Sequence, residues 1–346
     1  MNTHPTDLEK VEACFLGVQI GDALGMPVET MKHEEIMALN DGRGVIGFMD
    51  PVQRKIPEMA VLKAKQATDD WQLTQVVFES LIACDDFSVE DCAERHVNAL
   101  EVSTFGWGKT TQRSIEEIRD KKRDPVLTIP TFGNGKSGSG NGIIMKVSPL
   151  AIVAARNHLR NKKNHTESIE WLSKSCMNLC FITHPDPRAG YAAFAVALVI
   201  YQSILNRGSI AGMEASGLTP FVISKVKELE RTHAGLRYNP DTVSGRLERI
   251  LSVYKDPDLM REATGCGFTA MDTAAFTIGT FFRHPRDFKK GLLEAVNAGG
   301  DTDTNASIVG AMIGANVGIA GIPVEWVNDI GSQRALSMAK HLWEVE

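Results

Sequence analysis

The chain has 346 residues, 43% hydrophobic and 23% charged, enough to bury a sizeable core in one large domain or two ordinary ones. A formal net charge of −6 supplies no basic footprint, so neither nucleic acid nor an anionic membrane surface is expected as a partner. Six scattered cysteines, and acids in MNTHPTDLEKVEACF where a secretory leader needs a basic start, point to a reducing cytoplasm.

The first helix is expected over 6–25, where Gly17, Gly21 and Gly25 recur every four residues and make one smooth face. Pro27 stops it and leaves Glu29 on a turn. After an irregular stretch, 40–68, the triplet Thr68-Asp69-Asp70 stands just ahead of an amphipathic helix at 71–84. Helices at 88–101 and 110–120 flank FGWGKTT, and a second irregular stretch covers 121–140. Within FGNGKSGSGNGI, residues 132–143, five glycines fall in the ten positions 133–142 and lead into a helix expected over 142–157 from near Asn141. Helices follow at 166–181, 188–205, 222–231, 243–253, 271–282, 287–297, 304–319 and 332–343. A polar, glycine-rich connection occupies 206–221. Strand alternation is scarce, and the helices at 188–205 and 304–319 are apolar on every face. The expectation is therefore an all-α fold, a single large helical domain over 1–346 with a central cleft. Residues 304–323 reach membrane-span length without a charge, but four glycines and two asparagines weaken their apolar character, and a closely packed buried helix fits better.

Three polar clusters could carry chemistry. Thr68-Asp69-Asp70 and Asp301-Thr302-Asp303-Thr304 each stand at a helix start, where one oxygen per cluster is expected to cap the helix. Each cluster holds more oxygens than a cap needs, and crowded carboxylates raise one another's pKa unless a cation intervenes. Oxygen donors without His or Cys suit Mg²⁺, Mn²⁺ or Ca²⁺ rather than zinc. The third cluster, the glycine loop, can bring backbone amides close to a ligand such as a diphosphate, or can be a plain surface loop. Gly135-Lys136-Ser137 mimics the end of a P-loop, but Pro130 occupies the required upstream glycine position. His184, in FITHPDPRAGY, reads by position as a cap or core residue.

GDALGMPVE, TDD, FGWGKTT, GSGNGIIMK, THPDPRAGY and GGDTDTNASIVGAMIGANVGIAGIP occur in that order. From about residue 10 to the C-terminus this arrangement resembles the ADP-ribosylglycohydrolase family. The resemblance implies an all-α fold whose cleft holds two Mg²⁺ or Mn²⁺ ions, and removal of ADP-ribose from modified protein side chains. It implies Thr68, Asp69 and Asp70 as metal ligands from one wall and Asp301, Asp303 and Thr304 from the other, with Asp303 or its neighbour bridging the ions. Glu29, Asp70 and Asp303 are the catalytic candidates. Gly138, Ser139, Gly140 and Asn141 match the loop holding diphosphate and distal ribose, while Gly106, Trp107 and His184 match other substrate-lining positions. An ADP-ribosylated protein is the implied substrate, ADP-ribose the product, and an ADP-ribosyltransferase the opposing partner, which allows a role in protection against an ADP-ribosylating toxin.

Three positions depart from the family pattern. Trp71 replaces a hydroxyl residue, and Lys146 stands where Arg is frequent, losing bidentate geometry. Ser139 replaces an aromatic of the serine-directed branch, which favours arginine linkage. Competing readings are a catalytically silent ADP-ribose binder, an immunity protein that blocks by contact, and a two-metal nucleotide phosphohydrolase.

Overall fold

The computed structural model describes residues 4–52, 62–126, 139–207, 217–232 and 242–345. Helices carry the structure, and the only β pairing among these residues is two isolated bridges, Lys32 with Gly299 and Gly140 with Thr269.

The first helix, α1 (Asp7–Gly25), starts on a capping box in which Thr6 Oγ1 accepts from the Glu9 amide and Glu9 accepts from the Thr6 amide. It ends at Gly25, where Pro27 turns the chain into a 3₁₀ turn, Met26–Val28. A short α2 (His33–Met37) precedes α3 (Asp69–Cys84), α4 (Val89–Val102) and α5 (Lys109–Arg119). Then come α6 (Ser148–Leu159), α7 (His165–Thr183), α8 (Pro187–Leu205) and α9 (Leu218–Thr232). The last elements are α10 (Val243–Val253), α11 (Pro257–Thr264), α12 (Ala270–Arg283), α13 (Phe288–Asn297), α14 (Thr302–Val317), α15 (Val324–Asp329) and α16 (Gln333–Glu344).

The spine is the pair α1 and α14, which run antiparallel with their backbones in contact. A Cβ added at Gly17 would stand 2.1 Å from the Gly310 carbonyl oxygen, and one at Gly21 would stand 2.2 Å from that of Ala306. At Gly25 the obstacle is the Thr302 carbonyl at 2.3 Å. Only glycine permits this approach, and its register places the end of α1 beside the beginning of α14. Thr302 Oγ1 and Ser307 Oγ lock the pair by donating to the carbonyls of Gly25 (2.8 Å) and Val18 (3.0 Å). The all-round apolar α8 lies against α6, α7, α12 and α14 in the interior, as expected of a helix without a polar face. α1 and α8 are long and apolar enough to span a membrane, yet 94% and 83% of their apolar windows are buried inside the protein. α14, at 16 residues, is buried along most of its length.

Some boundaries differ from the sequence reading for identifiable reasons. The helix expected from Asn141 starts later, because Gly140 and Asn141 are held in extended pairing with Thr269 and Phe268. A 3₁₀ turn, Ile144–Lys146, follows, and Pro149 then sits in the first turn of α6. α9 begins at Leu218 instead of 222, its first turn accommodating Pro220. α2 and α15 are too short for periodicity to reveal. α11 had a readable start: Asp256 accepts from the Asp258 and Leu259 amides, with Pro257 at the first helical position.

A carboxylate cleft at converging helix ends

A cleft of about 660 Å³ opens where the end of α1 and the N-termini of α3, α5 and α14 meet. Its lining includes Glu29, Thr68, Asp69, Asp70, Asp301, Asp303 and Thr304. The two polar clusters, over two hundred positions apart in sequence, thus share one cavity.

Thr68 and Asp301 occupy the N-cap positions of α3 and α14, but neither makes a side-chain cap bond to its own helix. The capping expectation is corrected at α3, whereas in α14 Asp303 Oδ1 accepts from the free first-turn amide of Thr304 at 2.9 Å. At α3 the task falls to Asp22, reaching across from α1. Its carboxylate accepts from the Thr68 amide (2.8 Å), the Thr68 hydroxyl (2.8 Å) and the Trp71 amide (3.0 Å). The Asp69 and Asp70 side chains are thereby left for the cleft. Trp71 gives its amide to Asp22 and its ring to an edge contact with Phe15, a packing role where the family pattern has a hydroxyl.

The carboxylates group in a defined way. Oxygen atoms of Asp22, Asp70 and Asp303 lie within 4.8 Å of one another, and so do those of Glu29, Asp301 and Asp303. Asp303 belongs to both triads. Thr304 Oγ1 donates to Asp70 Oδ2 at 3.3 Å, joining the walls, while Asp70 Oδ1 is fully buried without a hydrogen-bond partner. Asp301 is held by its amide on the Cys266 carbonyl (3.1 Å), and its Oδ2 accepts from Asn141 Nδ2 at 2.6 Å. That Asn141 bond, spanning 160 positions, gives a residue assigned by sequence to the substrate a firm grip on a carboxylate.

Burial first, and the neighbouring carboxylates second, push Asp69, Asp70 and Asp301 well above the usual carboxylate range. Asp22 rises to about 7 by burial and the Asp303 charge, against the three hydrogen bonds that favour its ionised form. Lys146 is fully buried without a hydrogen-bond partner on Nζ, and burial lowers it to about 8. An all-oxygen donor set with mutually repelling carboxylates and an orphaned Asp70 oxygen fits hard divalent cations, and the shared Asp303 fits two of them.

Around this centre the other candidates take distinct places. Glu29 follows the 3₁₀ turn and is fixed by its neighbours, the Thr30 amide donating to Gly300 (2.7 Å) and the Gly300 amide to Met31 (2.9 Å). Gly106, at φ 81°, rests against a carboxylate: a Cβ there would stand 2.2 Å from Asp69 Oδ1. Trp107 is 6% exposed, and its indole N–H donates to Gln72 Oε1 at 2.9 Å, tethering this turn to α3. His184 terminates α7 with its amide on the Cys180 carbonyl, and its Nδ1 pairs with Thr183 Oγ1 at 2.9 Å. Burial and the Lys146 charge lower it to about 3, so its ring is neutral, facing Gly140 and Gly142. Gly140, Asn141 and Gly142 line the cleft; Ser139 binds the Ala270 amide through its carbonyl and is not among the described lining residues. Gly138 lies outside the described residues. Sequence reasoning missed Asp22, whose signal was an acid inside an otherwise apolar, glycine-faced helix.

Fold and cleft together define an all-α protein whose helix ends converge on a carboxylate cluster. The family model for ADP-ribosylglycohydrolase matches residues 3–346, and the chain belongs to that family. Among its relatives is the ADP-ribosyl-[dinitrogen reductase] glycohydrolase of Rhodospirillum rubrum, 24% identical over 95% of this chain and 92% of that one. The ADP-ribosylhydrolase ARH3 of Mus musculus is 22% identical, covering 92% of this chain and 86% of its own. A solved structure described as an ADP-ribosylglycohydrolase-related protein complex shares the fold, with a TM-score of 0.66 at 22% identity over 97% of this chain and 98% of that one.

Proposed function

We propose that the protein is a divalent-metal-dependent hydrolase that releases ADP-ribose from modified protein side chains, with arginine-linked ADP-ribose as the preferred substrate. The observation that carries the reading is the sharing of Asp303 between two carboxylate triads, in a chain that matches the family over nearly its whole length. Ser139, in place of a stacking aromatic, supports the arginine preference over serine.

In this reading Thr68, Asp69, Asp70, Asp301, Asp303 and Thr304 hold two Mg²⁺ or Mn²⁺ ions. Bound ions would grip the distal ribose hydroxyls and lower the pKa of water at the site. The chain supplies the remainder. Glu29 takes a proton from the attacking water on its carboxylate as the anomeric carbon–nitrogen bond breaks. The departing side-chain nitrogen keeps the electron pair of that bond and is protonated from solvent, while Glu29 returns its proton to solvent. Asn141 keeps Asp301 oriented through Nδ2. Neutral His184 and the Gly140–Gly142 backbone seat the ligand, and the buried setting strengthens each polar contact. The products are intact ADP-ribose and the unmodified side chain.

Incubation with arginine- and serine-linked ADP-ribosyl proteins, with and without chelator, tests the proposal. Metal-dependent release of intact ADP-ribose supports it, with arginine linkage cleaved faster. Asp303→Ala and Asp70→Ala should each lower turnover by about a thousandfold, corresponding to several kcal/mol of transition-state stabilisation. Release of AMP would instead mark a phosphohydrolase, and undiminished turnover in both variants would remove the metal assignment.

A further inference from the structure

Behind the cleft, α12 carries the fully buried threonines Thr273, Thr277 and Thr280. A buried helical threonine can satisfy its hydroxyl on the carbonyl one turn back. Thr277 does so on Thr273 (2.7 Å) and Thr280 on Phe276 (3.0 Å). Thr273 does not. Its hydroxyl reaches out of the helix and donates to the Gly267 carbonyl at 3.1 Å. With its one proton committed, that oxygen can only accept, and it accepts from Asn141 Nδ2 at 3.0 Å. The same amide nitrogen donates to Asp301 Oδ2 at 2.6 Å. Thr273 is 0% exposed and is not among the residues that line the cleft, so it touches neither ligand nor ion.

We propose that Thr273 is a positioning residue for the divalent centre, acting through Asn141 on Asp301. A side-chain amide has nearly the same shape in its two flipped orientations, so packing alone does not choose between them. The flipped Asn141 would set its oxygen against a Thr273 oxygen that has no proton left and against the Asp301 carboxylate. Buried acceptors facing acceptors are costly, and the flipped state is excluded. The Gly267 carbonyl thus fixes the Thr273 proton, Thr273 fixes the Asn141 amide, and the amide fixes one oxygen of Asp301. Backbone bonds hold the relay at both ends: the Asn141 amide donates to the Phe268 carbonyl (3.1 Å) and the Ala270 amide to the Ser139 carbonyl (2.7 Å). That the oriented carboxylate serves a metal ion rests on the proposed function; the relay itself rests on α12 and the segment before it.

The test compares three variants of the full chain. Thr273→Val keeps the shape and removes the hydroxyl, Thr273→Ser restores it, and Thr280→Val deletes an equally buried hydroxyl of the same helix. In chelator, heteronuclear NMR follows the Asn141 side-chain amide, assigned by its absence in Asn141→Ala. Its protons should exchange with solvent about three- to tenfold faster in Thr273→Val, the worth of one hydrogen bond, and at the wild-type rate in the other two. Mg²⁺ affinity, measured by calorimetry, should fall by a similar factor in Thr273→Val alone. In an Asn141→Ala background Thr273→Val should cost no further affinity, since the two residues act in series. Unchanged exchange in Thr273→Val removes the relay, and faster exchange with unchanged Mg²⁺ affinity removes the positioning role. Equal affinity losses in Thr280→Val reduce Thr273 to a structural hydroxyl. A wild-type protein that binds no Mg²⁺ and releases no ADP-ribose loses the proposed function and the metal's part of the inference, and the exchange rates still decide the relay.

Discussion

Asp303 occupies the one position from which a carboxylate reaches both triads, so the residues around it divide into those that touch a reacting group and those that aim it. Glu29 belongs to the first kind. Glu29→Gln preserves size and hydrogen bonding but removes the basic oxygen, and turnover should fall by about 10²–10⁴-fold. Divalent affinity, measured by calorimetry, should fall much less; an equal loss of both would make Glu29 a ligand alone. Gly106 is of the second kind, because its missing Cβ is what leaves room for Asp69 Oδ1. Gly106→Ala should weaken divalent binding, while Gly331→Ala should not. Both glycines have positive φ, at 81° and 70°, but the space beside Gly331 is open, so its variant reports backbone strain of about 1 kcal/mol alone. Matching thermal and binding losses in the two variants would remove Gly106 from any positioning role.

At the scale of elements, the site is a product of helix ends. α3 and α14 bring their carboxylates in the first turn, and the contact of α1 with α14 decides where those turns lie. Gly21→Ala forces a methyl to within 2.2 Å of the Ala306 carbonyl, so the helices must part. A loss of about 2–3 kcal/mol in stability is expected, the range for overpacking, together with weaker divalent binding as Asp303 shifts. Denaturant unfolding and calorimetry measure both, and a wild-type midpoint would show that the pair can yield. Much of this was legible in the sequence. The four-residue spacing of Gly17, Gly21 and Gly25 announced a close-packed face, and the uncharged run after Asp303 announced a buried helix. What stayed hidden is non-local. Asp22 was visible as a lone acid, but nothing near it in sequence says that it caps α3. The bond from Asn141 to Asp301 crosses 160 positions, and no periodicity reports such a contact. Helices of five or six residues, such as α2 and α15, carry too little pattern to read.

For the whole molecule, the buried carboxylates link stability, pH and metal. Asp22, at about 7, and Asp69, Asp70 and Asp301, all raised, hold protons in the folded state that the unfolded chain has already released. Their folded pKa values exceed the unfolded ones, so the associated stability is complete below about pH 4 and is lost as pH rises through the folded values. Metal-free protein should therefore melt at a higher temperature near pH 5 than near pH 7.5, and added Mg²⁺ should narrow or reverse the gap by stabilising the ionised carboxylates. Scanning calorimetry with and without chelator measures this, and a metal-independent gap would show that other groups dominate.

The embrace of α1 by α14 also has a consequence in time. The glycine face of α1, at Gly17, Gly21 and Gly25, has no backbone to close on until 302–310 exist, so a chain still emerging from the ribosome leaves that face uncovered for nearly the whole of its synthesis. Until then the carboxylates of the two clusters have nothing to converge on. The hydrolytic centre is therefore among the last things this polypeptide acquires, and a product arrested before Thr304 would be inert however well its earlier helices had formed.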